Sequence, residues 1–356
     1  AFPRFIKDLR EGHPQKRYVA SWRSIENIPP VRRDLIKREK YFVPNSLVVS
    51  RGCPHHCDFC YKDAFYSEGK SFYTRKVDDA LAEIDSLPGR HLYFLDDHLL
   101  GNSHFASELF EGMRGMGRVF QSASTVAAVL NGNLIEKAAE AGLRSLFLGF
   151  ETFSPDNLRS SNKLQNLSKD YVAAVERLHS LGIMINGSFV FGLDHDDKDV
   201  FQRTVDWGIE HCITTATFHI LTPYPGTRLF QQMERDGRIT SYDWSKYDTR
   251  TVVYKTLGLT AEELKQGYEW AYRNFYSWSN IFKASFGHDN IKQQLAHLFY
   301  MGGCKISEPF WNFMIQYGNL NRMLPVLENL LANTNGNITK SKMSRQGIEL
   351  VKKTAL

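Results

Sequence analysis

Cys53, Cys57 and Cys60 lie within one short run, Cys53-Pro54-His55-His56-Cys57-Asp58-Phe59-Cys60. Three thiolates are one short of the four that ordinarily complete a four-iron cluster. One iron is then open to a substrate or cofactor, which is a catalytic arrangement. A closed site would be structural or would only carry electrons. Two other readings use the same residues. Zinc takes Cys, His or carboxylate ligands, and His55 or His56 could be its fourth. So tight a loop strains that geometry, and no second Cys or His pair completes a finger. Cys57-x-x-Cys60 has the spacing of a redox pair, which leaves Cys53 without a role. Disulfides are disfavoured, because the chain has an odd five cysteines and three of them crowd one loop.

Such a loop needs elements to position it. Apolar runs of strand length alternate with amphipathic stretches of helix length, predicting strands over 47–50, 91–95, 119–123, 145–150, 184–191 and 215–221. Helices are expected between them, over 76–86, 103–116, 131–141, 169–181 and 198–211. Gly142 and Gly182 punctuate two helix ends. A β-α series implies a parallel sheet with right-handed crossovers, either doubly wound or barrel-like. In both, ligands gather at the carboxyl ends of the strands. The polar and glycine-containing motifs fall there: the cysteine loop, Asp96-Asp97-His98, Ser122 to Thr125, Glu151-Thr152, Gly192-Leu193-Asp194 and Pro223-Tyr224-Pro225-Gly226-Thr227.

Length and composition bound the rest. The chain has 356 residues, 42% hydrophobic and 23% charged, as expected of a globular enzyme with an appendage. No apolar run approaches the ~20 residues that span a bilayer. The formal charge is +5, and +4 of it falls beyond Thr334, in Lys340, Lys342, Arg345, Lys352 and Lys353 against Glu349. The near-neutral body gives no support for a nucleic-acid groove. Expected divisions are an entry segment over 1–46, a core over 47–228, an aromatic-rich helical region over 229–333 and a basic, disordered tail over 334–356. Helices are expected over 260–286, opened by a capping box at Thr260-Ala261-Glu262-Glu263, and over 289–300 and 309–331. The chain opens on Ala1, and the natural protein is expected to extend further toward the N-terminus.

The run CPHHCDFC resembles the signature of the radical S-adenosylmethionine (SAM) superfamily, C-x3-C-x-φ-C with Phe59 in the aromatic place. The resemblance covers roughly residues 16–286. It implies an α/β fold, a partial (β/α)6 TIM-like barrel with a mainly helical C-terminal region. It implies a 4Fe-4S cluster on Cys53, Cys57 and Cys60, with SAM chelating the open iron. The activity implied is reductive cleavage of SAM to a 5′-deoxyadenosyl radical. By motif position, Asp96 and Asp97 would meet the SAM amino group and Ser124 its carboxylate. Glu151 would take the ribose hydroxyls or the amino group. Phe191, in Gly187-Ser188-Phe189-Val190-Phe191-Gly192-Leu193, would lie against adenine. Pro223 and Gly226 would offer backbone to the adenine edge. The chain departs from the family in having Asp96-Asp97 where many members carry Gly-Gly-Glu, and Asp194 where the strand-five motif has Glu.

The paired Asp and the approach through 29–34 and 41–51 resemble the branch that carries a cobalamin-binding domain. No D-x-H-x-x-G occurs in this chain, so a fragment or split form of such an enzyme is expected. That branch implies methylation or another C–H functionalisation of a small, hydrophobic or lipid-like substrate. It further implies a cobalamin domain as partner, an electron donor such as flavodoxin or ferredoxin, and a cytoplasmic, oxygen-protected setting. The contrasting expectations are an Fe-S electron carrier, whose fourth ligand would have to be Cys212 or Cys304, and a zinc-binding module.

Overall fold

A computed structural model describes residues 1–19, 24–26, 28–29, 31–38, 41, 43–66 and 70–307. The helix expected over 309–331 and the tail over 334–356 lie outside the described residues. After α1 (Phe2–Arg10), strands β1 (Ser46–Leu47), β4 (His91–Phe94), β5 (Val119–Thr125), β6 (Leu143–Glu151), β7 (Met184–Phe191) and β8 (Thr215–Ile220) form one sheet in that spatial order. Every neighbouring pair is parallel. Helices α3 (Val77–Ser86), α4 (Ser103–Met113), α5 (Val126–Val129), α6 (Leu134–Ala141), α7 (Pro155–Ser160), α8 (Tyr171–Ser180) and α9 (Val200–Glu210) fill the crossovers. The sheet is not closed, and β1 and β8 are its edges. This is the open, partial (β/α)6 barrel expected.

The first strand is shorter than its apolar run predicts. β1 ends at Leu47, and β2 (Ser50–Gly52) leaves the sheet to pair antiparallel with β3 (Phe72–Thr74). The buried carboxylate of Asp96 is the reason. It accepts the N–H groups of Val49, at 3.2 Å, and of Ser50, and it accepts the Ser50 hydroxyl at 2.5 Å. A continued strand would have given those N–H groups to β4. Three short helices escape the sequence pattern: α2 (Tyr61–Phe65), directly after the cysteines, α5, which Thr125 caps, and α7, which Ser154 caps ahead of Pro155.

Period-2 alternation sorts the sheet faces. Leu146, Leu148 and Phe150 of β6, Ile185, Phe189 and Phe191 of β7, and Ala216, Phe218 and Ile220 of β8 join the buried core under the helices. The opposite face carries Ser145, Asn186, Ser188, Thr215, Thr217 and His219 beside Phe147, Met184 and Val190, so it is more polar than the packed core of a closed barrel. Beyond β8 come α10 (Arg228–Arg235), α11 (Ala261–Phe275), α12 (Trp278–Phe286) and α13 (Ile291–Ser307). Thr260 and Glu263 form the expected capping box. The helix expected over 260–286 is two, because Ser277 caps a fresh start at Trp278.

α11 also solves the problem of an exposed sheet edge, whose unpaired peptide groups invite other strands. The Tyr272 hydroxyl accepts Phe218 N–H at 3.1 Å and donates to its carbonyl at 3.2 Å; the Tyr276 hydroxyl does the same for Ala216 at 3.1 and 2.7 Å. Tyr272→Phe should therefore destabilise the protein by about 1–3 kcal/mol, the cost of leaving a partly buried peptide group unpaired. Urea unfolding measures this, and an unchanged midpoint would refute the edge-capping role.

Candidate active site

The cysteine loop leaves the sheet at β2. Gly52 adopts φ +87°, and a Cβ there would stand 1.9 Å from the Ser71 carbonyl oxygen. That same carbonyl accepts Cys53 N–H at 3.0 Å, so only glycine lets the loop begin here. The turn then closes through Cys60 N–H to the Cys57 carbonyl, at 3.0 Å.

Three parts of the barrel hold this loop. After β4, Asp97 accepts Gly52 N–H at 3.0 Å and pairs with Lys62 at 3.3 Å, bracketing the three cysteines from both ends. After β6 and α7, the segment 161–165 docks on the loop's middle. There the Ser161 carbonyl accepts Asp58 N–H at 3.0 Å, and the Asn162 amide donates to the His56 carbonyl at 2.6 Å. After β8, Leu229 N–H donates to the Asp58 carbonyl at 3.1 Å, and Arg228 faces the Asp58 carboxylate at 3.6 Å. Gly226, at φ +86°, lets this last loop approach α2, since a Cβ would meet that of Ala64 at 3.1 Å.

The surroundings of the thiols suit bound negative charge. The His55 N–H bonds to Cys53, and Gln165 Nε2 donates to Cys57 Sγ at 3.3 Å. Burial pushes both thiols up, so these protons must leave when a metal binds. Two cations stand beside them. Burial works against the charge of Lys62, but Cys60 and Asp97 outweigh it and hold its ammonium above the ordinary range. Burial likewise opposes Lys163, and Glu151 and then Cys57 reverse the effect. The Glu151–Lys163 pair, at 2.7 Å, is nearly wholly buried. Glu151 itself sits at φ +66°, where the β6 ladder shifts register. His98 is stacked on His55 with ring centroids 5.5 Å apart, and burial first, then His55, lowers it to about 3.

The residues singled out in the sequence separate into groups. Asp97, Glu151 and Gly226 reach the loop, α2 after it or the segment docked on it, Phe59 is part of the loop, and Pro223 lies three residues before Gly226 in the same strand-end segment. Ser124 is one step behind, its hydroxyl 3.4 Å from His98 Nδ1. Asp96 differs from expectation. Its carboxylate is taken up by the backbone of 49–50, and burial, partly offset by these hydrogen bonds, raises it to about 6. It positions the backbone that leads into the loop. Phe191 also differs, because it is buried on the helix side, stacked on Phe218 at 5.5 Å and edge-on to Phe201 at 4.8 Å. The odd–even alternation of β7 turns Val190 toward the mouth instead. There Val190, Leu193 and Leu221 form a second apolar cluster against which Phe59 packs. A small open-sided cleft of about 60 Å³ lies beside Phe59, bounded by Leu193, Leu221, Met233 and the Asp194–Arg238 pair. Lys62, Lys163, Gln165 and Asn162 carried no sequence signal. They reach the loop from other elements or lie just outside the motif. Cys212 is buried near the opposite end of the barrel, at the start of β8, and Cys304 is exposed on α13.

The donor set fits a cubane. A cubane takes one thiolate at each of its separate irons, and the three cysteines of this loop can supply three of them. The cations and N–H donors around the sulfurs match the charge of such a cluster.

Comparison with known proteins agrees. The Radical SAM superfamily model matches residues 47–208. Bacteriochlorophyllide d C-12(1)-methyltransferase of Chlorobaculum tepidum is 33% identical over 251 residues, covering 69% of this chain and 54% of that protein. Hopanoid C-2 methylase of Rhodopseudomonas palustris is 26% identical over 220 residues, covering 59% of this chain and 41% of that protein. The chain thus spans about half the length of the curated relatives it matches. Among solved structures, the radical SAM methyltransferase TsrM of Kitasatospora setae, with cobalamin and a 4Fe-4S cluster bound, superposes with a TM-score of 0.56 at 13% identity. It covers 82% of this chain and 66% of that one, a likeness of fold. The matched stretch contains the cysteine loop and runs through β7, and residues 47–208 are a radical SAM domain.

Proposed function

We propose that this chain is the radical-generating part of an enzyme in which Cys53, Cys57 and Cys60 hold a 4Fe-4S cluster and SAM binds at the open iron. When bound, these groups supply reductive cleavage of the sulfonium to a 5′-deoxyadenosyl radical. The observation that supports this reading is the seating of one three-cysteine loop at the carboxyl ends of the parallel strands, held there from the ends of β4, β6 and β8. The protein's own groups have definable tasks. Gln165 and the His55 N–H direct hydrogen bonds at thiolate sulfur, and Lys62 and Lys163 place cations nearby. All four favour the added electron. Glu151, oriented by Lys163, offers acceptors for the ribose hydroxyls or the SAM amino group, and Asp97 keeps the loop in register beneath them. The cleft beside Phe59 takes adenine, with Pro223 and Gly226 directing the backbone along its edge. Ser124, through His98, adds a polar group on the carboxylate side.

The reaction class is methylation or another C–H functionalisation of a small hydrophobic substrate. Relatives named for bacteriochlorophyllide and hopanoid methylation support it. The polar inner face of the open sheet leaves room for a cobalamin-binding domain as partner. A flavodoxin or ferredoxin supplies the electron, and the setting is cytoplasmic.

Anaerobic reconstitution tests this. About four iron and four sulfide per chain are expected. SAM should perturb the reduced cluster's EPR signal, and dithionite with SAM should yield 5′-deoxyadenosine. Cys57→Ala should lose both signal and product while keeping its far-UV circular dichroism. Iron that binds without responding to SAM would identify a carrier, and zinc without iron would identify a structural module.

A further inference from the structure

The C-terminal helical hairpin carries a face that the barrel does not use. Trp278, Phe282 and Phe286 recur every four residues along α12, as do Ile291, Leu295 and Phe299 along α13. Each is between 43% and 63% exposed. The rings of α12 form a continuous row, with centroids 6.1 Å apart from Trp278 to Phe282 and 6.3 Å from Phe282 to Phe286. Trp278 lies over Gly302 of α13, 3.5 Å from where a Cβ would stand, so the two stripes adjoin. The other side of the hairpin, through Ile281, Ala284 and Met301, is in the barrel core.

Charge accompanies this face. Neither α12 nor α13 contains an acidic residue, whereas Lys283 and Lys292 are exposed on them. Residues 277–307 hold Lys283, Lys292 and Lys305 against Asp289 alone, a net charge of +2. Amphipathic helices with aromatic and aliphatic residues on one face and lysine beside it bind in the headgroup layer of anionic bilayers. A second copy of the chain is a poorer occupant, because a two-fold contact would bring lysines together with no acid on either helix to answer them. Neither helix is long and apolar enough to cross a membrane.

We propose that the α12–α13 face docks reversibly on an anionic lipid surface, with Trp278, Phe282, Phe286, Leu295 and Phe299 entering the interface and Lys283 and Lys292 meeting lipid phosphates. The barrel is thereby held at a membrane, where an apolar substrate would reside. The surface itself stands independently of the cluster chemistry.

Flotation of the full chain with vesicles tests it, using phosphatidylcholine alone and phosphatidylcholine mixed with phosphatidylglycerol. The protein should float with the mixed vesicles and not with the neutral ones, and salt should release it. Lys283→Gln with Lys292→Gln should weaken binding roughly thirty-fold, from about a kcal/mol per lysine near such a surface. Phe282→Ser with Phe299→Ser should abolish flotation without lowering the thermal midpoint, since both rings are exposed. Equal flotation with neutral vesicles, or none with either, overturns the proposal. So does a double-serine variant that floats like the parent. A concentration-dependent dimer that these serines dissolve, without flotation, would assign the face to a second copy. A lower midpoint without flotation would assign it to the chain's own residues beyond 307.

Discussion

Replacing Glu151 by leucine should destabilise the cluster-free protein by about 3–5 kcal/mol, the usual cost of leaving one member of a buried ion pair alone. Lys163 is enclosed at the junction of β6 and the segment that grips the cysteine loop, and its ammonium lies 2.7 Å from Glu151. Burial opposes that charge, and Glu151 is the main group that sustains it. Lys163→Met should cost a similar amount, by stranding the carboxylate. The Glu151→Leu, Lys163→Met double variant should lose much less than the two singles together, because no uncompensated charge remains. Urea unfolding of the four proteins gives the coupling directly. Additive losses would mean that the pair is solvated and that Glu151 is free to meet a ligand without a fixed partner.

A second large effect is expected in acid, at the far end of the barrel. His179 of α8, His288 just ahead of α13 and His297 of α13 line a small cavity together with Gly182, Met184 and Thr214. His288 Nε2 and His297 Nδ1 are 2.9 Å apart, and the His179 and His288 rings stand 4.8 Å apart. Burial first, then the neighbouring imidazoles, lowers His179 and His297 to about 3. Burial lowers His288 too, with Asp289 working against it. These native values lie below that of an unfolded histidine, so the unfolded chain takes up protons first. Stability is therefore complete above about pH 6.5 and falls as the pH drops below it. At pH 5 each of the two most buried histidines costs about 2 kcal/mol. Asp96 and Asp196, both raised to about 6 by burial, titrate over the same range with the opposite sign. The global midpoint will consequently move less than the local one. Hydrogen exchange should show α12 and α13 losing protection between pH 7 and 5, and His297→Asn should flatten that dependence. Equal protection at both values would show that the imidazoles are solvated or exchange protons freely with the medium.

The two effects lie at opposite ends of the same strands, which bears on how such a protein divides its tasks. The carboxyl ends carry charge that is buried and paired, and the loops there are tied to one another by side chains. Near the amino ends of β7 and β8, the three histidines tolerate burial only while unprotonated. Acid loosening of α12 and α13 should therefore leave the cysteine loop in place, because its ties run to the ends of β4, β6 and β8 and not to the hairpin.

The cysteine spacing was legible because the chemistry is local: three ligands in one turn need no tertiary structure to be seen together. The strand–helix alternation was legible because hydrophobic period and turn residues are local too. β7 runs over Met184–Phe191 as its pattern indicates. Where expectation and structure part, a distant group intervened. The first strand stops at Leu47 because a carboxylate 47 residues further on captures Val49 N–H. Phe191 is apolar and at a strand end, but the face it takes depends on register with β8 and packing on α9.

By itself, then, the sequence determined the number of thiolates, the parallel α/β class and the end of the strands where chemistry belongs. The tertiary structure alone decided what surrounds those thiolates. Gln165 lies 108 residues beyond the cysteine it touches, and Lys163 and Asn162 arrive from a loop that carries no motif. Hydrogen bonds and ion pairs depend on distance and direction in space, and a chain's order fixes neither until the sheet has brought its loops to one rim.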